Sequence, residues 1–97
     1  MPRYVALLNW TDQGVRTAKD TVRRYEEARE ALDSMGVRLE TTVWTMGRYD
    51  IVAFVDAPDD ERLSAALLRL AGAGNLRTET MRAFTAEEMG RIVQNLS

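Results

Sequence analysis

Apolar and polar residues change period along the chain in an order that predicts its elements. Tyr4-Val5-Ala6-Leu7-Leu8 is a short apolar run that gives way to Asn9-Trp10-Thr11-Asp12, which predicts a first strand ending there. From Thr17 to Met35 the apolar positions Val22, Tyr25, Ala28, Leu32 and Met35 recur at helical spacing. Arg, Glu and Asp fill the opposite side, and Gly36 ends the helix. Val37 to Met46 alternates in part and is rich in β-branched and aromatic side chains, while Tyr49 to Val55 is almost continuously apolar. Both read as strands, joined by a two-residue type II′ turn at Gly47-Arg48, since glycine accepts the positive φ that the first turn position needs.

Asp56-Ala57-Pro58-Asp59-Asp60-Glu61 places proline and acids in a first helical turn, where the helix dipole favours negative charge. Leu63, Ala66, Leu67 and Leu70 form the buried stripe of this second helix. Gly72 and Gly74 end it before a strand from Leu76 to Phe84. Thr85-Ala86-Glu87-Glu88 has capping-box spacing ahead of Met89, Ile92, Val93 and Leu96, so a short helix closes the chain.

The resulting order is β-α-β-β-α-β plus one helix, an α+β ferredoxin-like pattern with a four-stranded antiparallel sheet in strand order 4-1-3-2. At 97 residues the chain is one domain's worth. The apolar pattern agrees independently with that order. Strands one and three, central in the sheet, are nearly unbroken apolar runs, whereas the edge strands carry Arg38, Glu40, Arg77 and Glu79. Two helices cover one face of such a sheet, and the other apolar face needs a companion. A homodimer or higher homo-oligomer is expected, with sheets packed face to face.

Charge and composition then remove options. Thirteen Lys and Arg against fifteen Asp and Glu give a net charge of −2, spread along the chain without a basic block, so no nucleic acid partner is expected. The sequence holds no Cys and no His, which excludes disulfides, thiolate and Ser-His-Asp catalysis, and histidine-ligated zinc or haem. The acids at 59–61 are explained by their place in a helical turn, so no metal and no cofactor are expected. Without a signal-peptide pattern or an apolar run of ~20 residues, no membrane partner is expected and the cytoplasm is the default location. The five methionines fall on apolar stripes and read as core filling.

With strands one and three taken as parallel, the polar residues sort into two ends. One end, around the hairpin, groups Tyr4, Trp44, Thr45, Tyr49, Asp50 and Arg82; the other groups Asn9, Trp10, Arg77 and Glu79. At the hairpin, Trp44 and Tyr49 offer aromatic walls while Asp50 and Arg82 orient a polar ligand or move a proton. The same residues are also explained as a turn, an aromatic seam and a solvated edge. Asn9 is a hydrogen-bonding candidate at the mouth of the first crossover, or a turn cap together with Asp12. Arg77 and Glu79, two apart on an edge strand, suggest an exposed or subunit-bridging ion pair.

Asn9-Trp10-Thr11-Asp12-Gln13-Gly14, Trp44-Thr45-Met46-Gly47-Arg48-Tyr49-Asp50, Ala57-Pro58-Asp59-Asp60 and Gly74-Asn75-Leu76-Arg77-Thr78-Glu79-Thr80 together resemble the GYD domain family. The resemblance spans nearly the whole chain. It implies a dimeric α/β barrel, and it carries no catalytic role over to any residue. Three functional classes follow: an oligomeric small-molecule-binding or sensing module with Asn9, Trp44, Tyr49, Asp50 and Arg82 as ligand-binding residues; a cofactor-free oxygenase or isomerase; and a pure assembly module. No catalytic residue is assigned.

Overall fold

A computed structural model describes residues 1–96. The chain runs β1 (Arg3–Trp10), α1 (Asp12–Arg16), a 3-10 turn (Ala18–Asp20), α2 (Thr21–Asp33), β2 (Arg38–Trp44) and β3 (Ile51–Asp56). It continues through α3 (Asp60–Gly72), β4 (Leu76–Ala83), α4 (Ala86–Val93) and a closing 3-10 turn (Gln94–Leu96). The four strands form one sheet in the order β2-β3-β1-β4, every neighbouring pair antiparallel. The ferredoxin-like α+β architecture and its extra C-terminal helix are as the pattern predicts.

One directional expectation is overturned: β1 and β3 are adjacent and antiparallel, with Tyr4 opposite Val55 and Leu8 opposite Ile51. The crossover through α2 makes β1 and β2 point the same way, and the following hairpin reverses β3. Asn9 and Trp10 extend β1 instead of leaving it, because β4 pairs with them through Arg77 and Leu76. Gly47 does carry a positive φ of 113°, yet the strands separate at Trp44 and Ile51 and the hairpin closes through Thr45 N–H donating to the Asp50 carbonyl. The connection is therefore longer than a two-residue turn. Instead of Asn9 or Asp12, Thr11 caps α1, its hydroxyl accepting from Gly14 N–H at 3.0 Å.

One face of the sheet carries the core. Tyr4, Ala6 and Leu8 of β1 and Ile51, Ala53 and Val55 of β3 alternate inward to meet Leu32, Val37, Leu63 and Ala66, all buried. The Asp59 side chain accepts from Arg62 N–H at 2.8 Å and caps α3, whose first turn holds Asp60 and Glu61. Four methionines correct the core-filling expectation: Met1, Met46, Met81 and Met89 are exposed, and only Met35 packs against the core. Val22, in the first turn of α2, is exposed as well, and the long helix predicted from Thr17 is interrupted by the 3-10 turn, so that α2 starts at Thr21.

At the far end of the sheet, Arg3 Nε donates to the Asp56 carboxylate at 3.1 Å across the β1–β3 pair. Arg3 holds the Asp56 carboxyl below the usual carboxylate range. The folded form then binds this proton less tightly than the unfolded chain. Its stabilising contribution is complete above the ordinary carboxylate pKa of about 3.9 and is lost as pH falls through the lower folded value. Since Arg3 is 39% exposed, solvent screening keeps the contribution small. Urea unfolding at pH 7 and pH 2 should show Asp56→Asn costing more stability at pH 7 than at pH 2; equal losses at both would exclude this ion pair as the source.

Candidate functional site

Three of the family-like motifs meet at one end of the sheet. Asn9 Nδ2 donates to the Arg48 carbonyl at 2.8 Å and lies 3.4 Å from the Asp50 carboxylate. That carboxylate accepts the Trp10 N–H at 3.0 Å, and Asp50 N–H donates to the Leu8 carbonyl. On the next side, Thr11 N–H donates to the Asn75 carbonyl and the Thr11 hydroxyl to the Gly74 carbonyl at 2.6 Å, while Gln13 reaches Ala73 and Asn75. The end of β1 is thus tied to the hairpin on one flank and to the α3–β4 turn on the other. The Asn9 amide nitrogen and one Asp50 carboxylate oxygen are engaged inside this tie.

Tyr49 donates its hydroxyl to Glu79 of β4 at 2.7 Å, and that bond raises the Tyr49 pKa above its ordinary value. Among the described residues Glu79 pairs with Tyr49, and no ion pair within the chain joins it to Arg77. Arg48 sits over the Tyr49 ring at 5.7 Å. Trp44 turns to the helix side instead: its indole N–H donates to Thr21 at 3.0 Å and its ring meets Tyr25 edge to face at 5.7 Å. Asn9, Tyr49 and Asp50 are brought together, and Trp44 lies beside them on the opposite face.

Arg82 lies at the other end. It is opposite Tyr4 in the β1–β4 register, 5.6 Å from the Tyr4 ring and 4.6 Å from that of Phe84. Its guanidinium also reaches the Glu88 carboxylate at 3.6 Å. Tyr4 itself is buried and donates to Asp60 at the start of α3, which raises its pKa. The expected grouping of Tyr4 and Arg82 with the hairpin is corrected, and so is the separation of Asn9 from it; both errors come from taking β1 and β3 as parallel.

The sheet face turned away from α2 and α3 carries exposed apolar side chains. It presents Val5 and Leu7 of β1, Val52 and Phe54 of β3, Val43 of β2 and Met81 of β4, with Val5 flanked by Phe54 and Met81 and Val52 flanked by Leu7 and Val43. Phe54 is 41%, Met81 46% and Val43 47% exposed. Around this apolar centre stand two ion pairs, Arg3 with Asp56 and Arg38 with Glu40 at 3.3 Å, and the hydrogen bond from Tyr49 to the Glu79 carboxylate. A second apolar surface is α4, whose Met89, Ile92, Val93 and Leu96 are all exposed. Its N-terminus is fixed by Thr85 and Glu88 in a capping box, as the spacing predicts.

Residue-level reading missed Thr42 on the helix side of the sheet. A β-bulge between Leu39 and Thr41 shifts the alternation of β2, so Thr42 and Trp44 join Leu39 on the inner face while Thr41 and Val43 turn outward. Arg38-Leu39-Glu40-Thr41-Thr42 holds no glycine or proline to announce the bulge.

Comparison with known proteins matches residues 4–93 to the GYD domain. The chain is also similar to the "Glutamine synthetase and cystathionine beta-lyase binding protein" of Thermus thermophilus. The two are 31% identical over 90 residues, which cover 92% of this chain and 95% of that protein. A match of this extent, together with Gly47-Arg48-Tyr49-Asp50 in the hairpin that anchors β1, shows that the chain belongs to the GYD domain family.

Proposed function

We propose that the chain is a self-assembling binding module: copies pair through the uncovered sheet face, and the assembly binds other proteins. The observation that carries this reading is the apolar centre formed by Val5, Leu7, Val43, Val52, Phe54 and Met81 on a face that no helix covers. Such a patch costs free energy in water and is recovered on pairing. A second copy suits it because Arg3 and Arg38 at its edge are already paired with Asp56 and Glu40, which limits like-charge repulsion in a twofold pairing. The exposed apolar stripe of α4 supports the same reading, since it gives each copy an arm with which to grip a neighbour.

Binding is favoured over catalysis by the titratable groups. Those displaced from their ordinary values are tied to evident structural partners: Asp56 to Arg3, Tyr4 to Asp60, Tyr49 to Glu79 and Glu88 to Thr85. The name of the Thermus thermophilus relative supports proteins as the bound class, and it nominates glutamine synthetase and cystathionine β-lyase as the first partners to try. With the full chain immobilised, purified samples of both enzymes from the same source are titrated by interferometry. Saturable binding of at least one is expected; binding of neither at micromolar concentration rejects this partner class.

A further inference from the structure

The inner face of the sheet is not fully covered either. Helix α2 leans on β2 and helix α3 on β4, and between them lies a cavity of about 620 Å³ over the middle strands. That volume falls within the range of small-molecule sites. Its walls are largely apolar, with Leu32 of α2, Leu39 of β2 and Leu67 of α3 among the lining residues. Two other lining residues, Trp10 and Thr42, hold polar atoms shut off from water with no hydrogen-bond partner: the Trp10 indole Nε1 and the Thr42 hydroxyl. Buried polar groups are ordinarily satisfied, and an indole N–H can only donate. Two such orphans just behind one cavity's wall mark a place where an acceptor is wanted, reached when the wall yields slightly.

Charge at the rim has a sign. Arg23 is neutralised by both Asp20 and Glu27, at 3.6 and 3.0 Å. Arg24 and Arg69 also line the cavity, and among the described residues neither forms an ion pair with a carboxylate. Arg24 is half-buried and held in place by neutral acceptors only, the Thr17 hydroxyl at 2.5 Å and the Gly14 carbonyl at 3.1 Å. A guanidinium so positioned, with donors to spare, favours a carboxylate.

We propose that this cavity binds a small organic acid with an apolar body, its carboxylate at Arg24 and an acceptor atom toward the Trp10 indole. The site lies on the opposite face of the sheet from the pairing surface, so either reading can fail without the other. Decanoate and 9-oxodecanoate serve as probes, the second carrying a ketone acceptor at the far end of its apolar body, with decanol as the uncharged control. Because the chain has two tryptophans, the two indole N–H resonances of the ¹⁵N-labelled protein report directly, and Trp44→Phe assigns them.

The expected result is saturable binding of at least one acid, one per chain, that moves the Trp10 indole resonance more than that of Trp44. Arg24→Gln should weaken the acid at least tenfold and leave decanol unchanged. Ala28→Trp, which fills the cavity from α2, should abolish binding while circular dichroism stays native. If that variant does not fold, Thr42→Val takes its place, with at least threefold weaker binding expected. Neither acid saturating, or binding that ignores both Arg24→Gln and the wall substitution, overturns the proposal. So does a Trp10 resonance that acid leaves in place, as when the arm of a second copy fills the cavity.

Discussion

Phe54→Glu is expected to abolish the proposed self-pairing while leaving the fold of the chain intact. Phe54 is 41% exposed on the bare sheet face, opposite Val5 in β1 and Thr41 in β2, so the separate chain loses little by the change. In a paired state the same substitution buries a carboxylate on each copy among Val5, Val52 and Met81, where the nearest guanidinium along the strand pair, Arg3, is already taken by Asp56. A desolvated, unpaired charge costs several kcal/mol. Taking about 3 kcal/mol as a floor, self-association should weaken by at least about 100-fold. Leu68→Glu is the matched control: Leu68 is 73% exposed on α3, away from the sheet face, and should leave assembly unaltered. Light scattering coupled to size exclusion reads the masses, and circular dichroism checks the fold. Equal masses for wild type and Phe54→Glu would remove this face from the interface.

The second large effect is on stability. A Cβ added at Gly14 would stand 2.1 Å from the Asn75 carbonyl oxygen, a contact that no side-chain rearrangement relieves because both atoms belong to packed backbone. That carbonyl already accepts the Thr11 N–H, and the Thr11 hydroxyl holds the neighbouring Gly74 carbonyl. Gly14→Ala must therefore push α1 away from the α3–β4 turn and break this tie. Overpacking together with a lost hydrogen bond should cost about 2–3 kcal/mol, which for a domain of this size lowers Tm by roughly 10–20 °C. Gly90→Ala, where a Cβ meets nothing within 4 Å, should change Tm little or raise it. A Gly14→Ala protein melting with wild type would show that the end of β1 is not locked to this turn.

Much of the architecture was legible because period and punctuation agreed. Unbroken apolar runs at Tyr4–Leu8 and Ile51–Val55 marked the central strands, and Thr85 with Glu88 marked the last helix. Strand direction was misread although chain order decides it: a crossover followed by a hairpin puts β3 antiparallel to β1. That single error placed Arg82 beside Tyr49 and took Asn9 away from Asp50, the residue it lies against. The bulge in β2 was invisible because it depends on pairing with β3 and not on any residue in the strand. The exposed methionines show another limit, since periodicity identifies an apolar stripe without saying whether the chain itself covers it. Met81 and Met89 lie on stripes that this chain leaves bare.

What gives the family motifs their spacing is also clearer in three dimensions. Asn9 to Gly14, the hairpin at 44–50 and the segment from Gly74 are far apart in sequence and form one hydrogen-bonded corner. The corner aligns β1 between β3 and β4, and with it the alternation that puts Val5 and Leu7 on the outer face. The signature Gly47-Arg48-Tyr49-Asp50 is accounted for by this positioning: a positive φ at Gly47, a Tyr49 bridge to β4 and an Asp50 acceptor for β1.

Sedimentation velocity of the unmodified full chain, from about one micromolar to several hundred micromolar, tests the self-pairing claim most directly. The uncovered sheet face predicts a boundary at the mass of two or more chains that persists to low concentration. A single boundary at the 11.0 kDa mass of one chain throughout would contradict it.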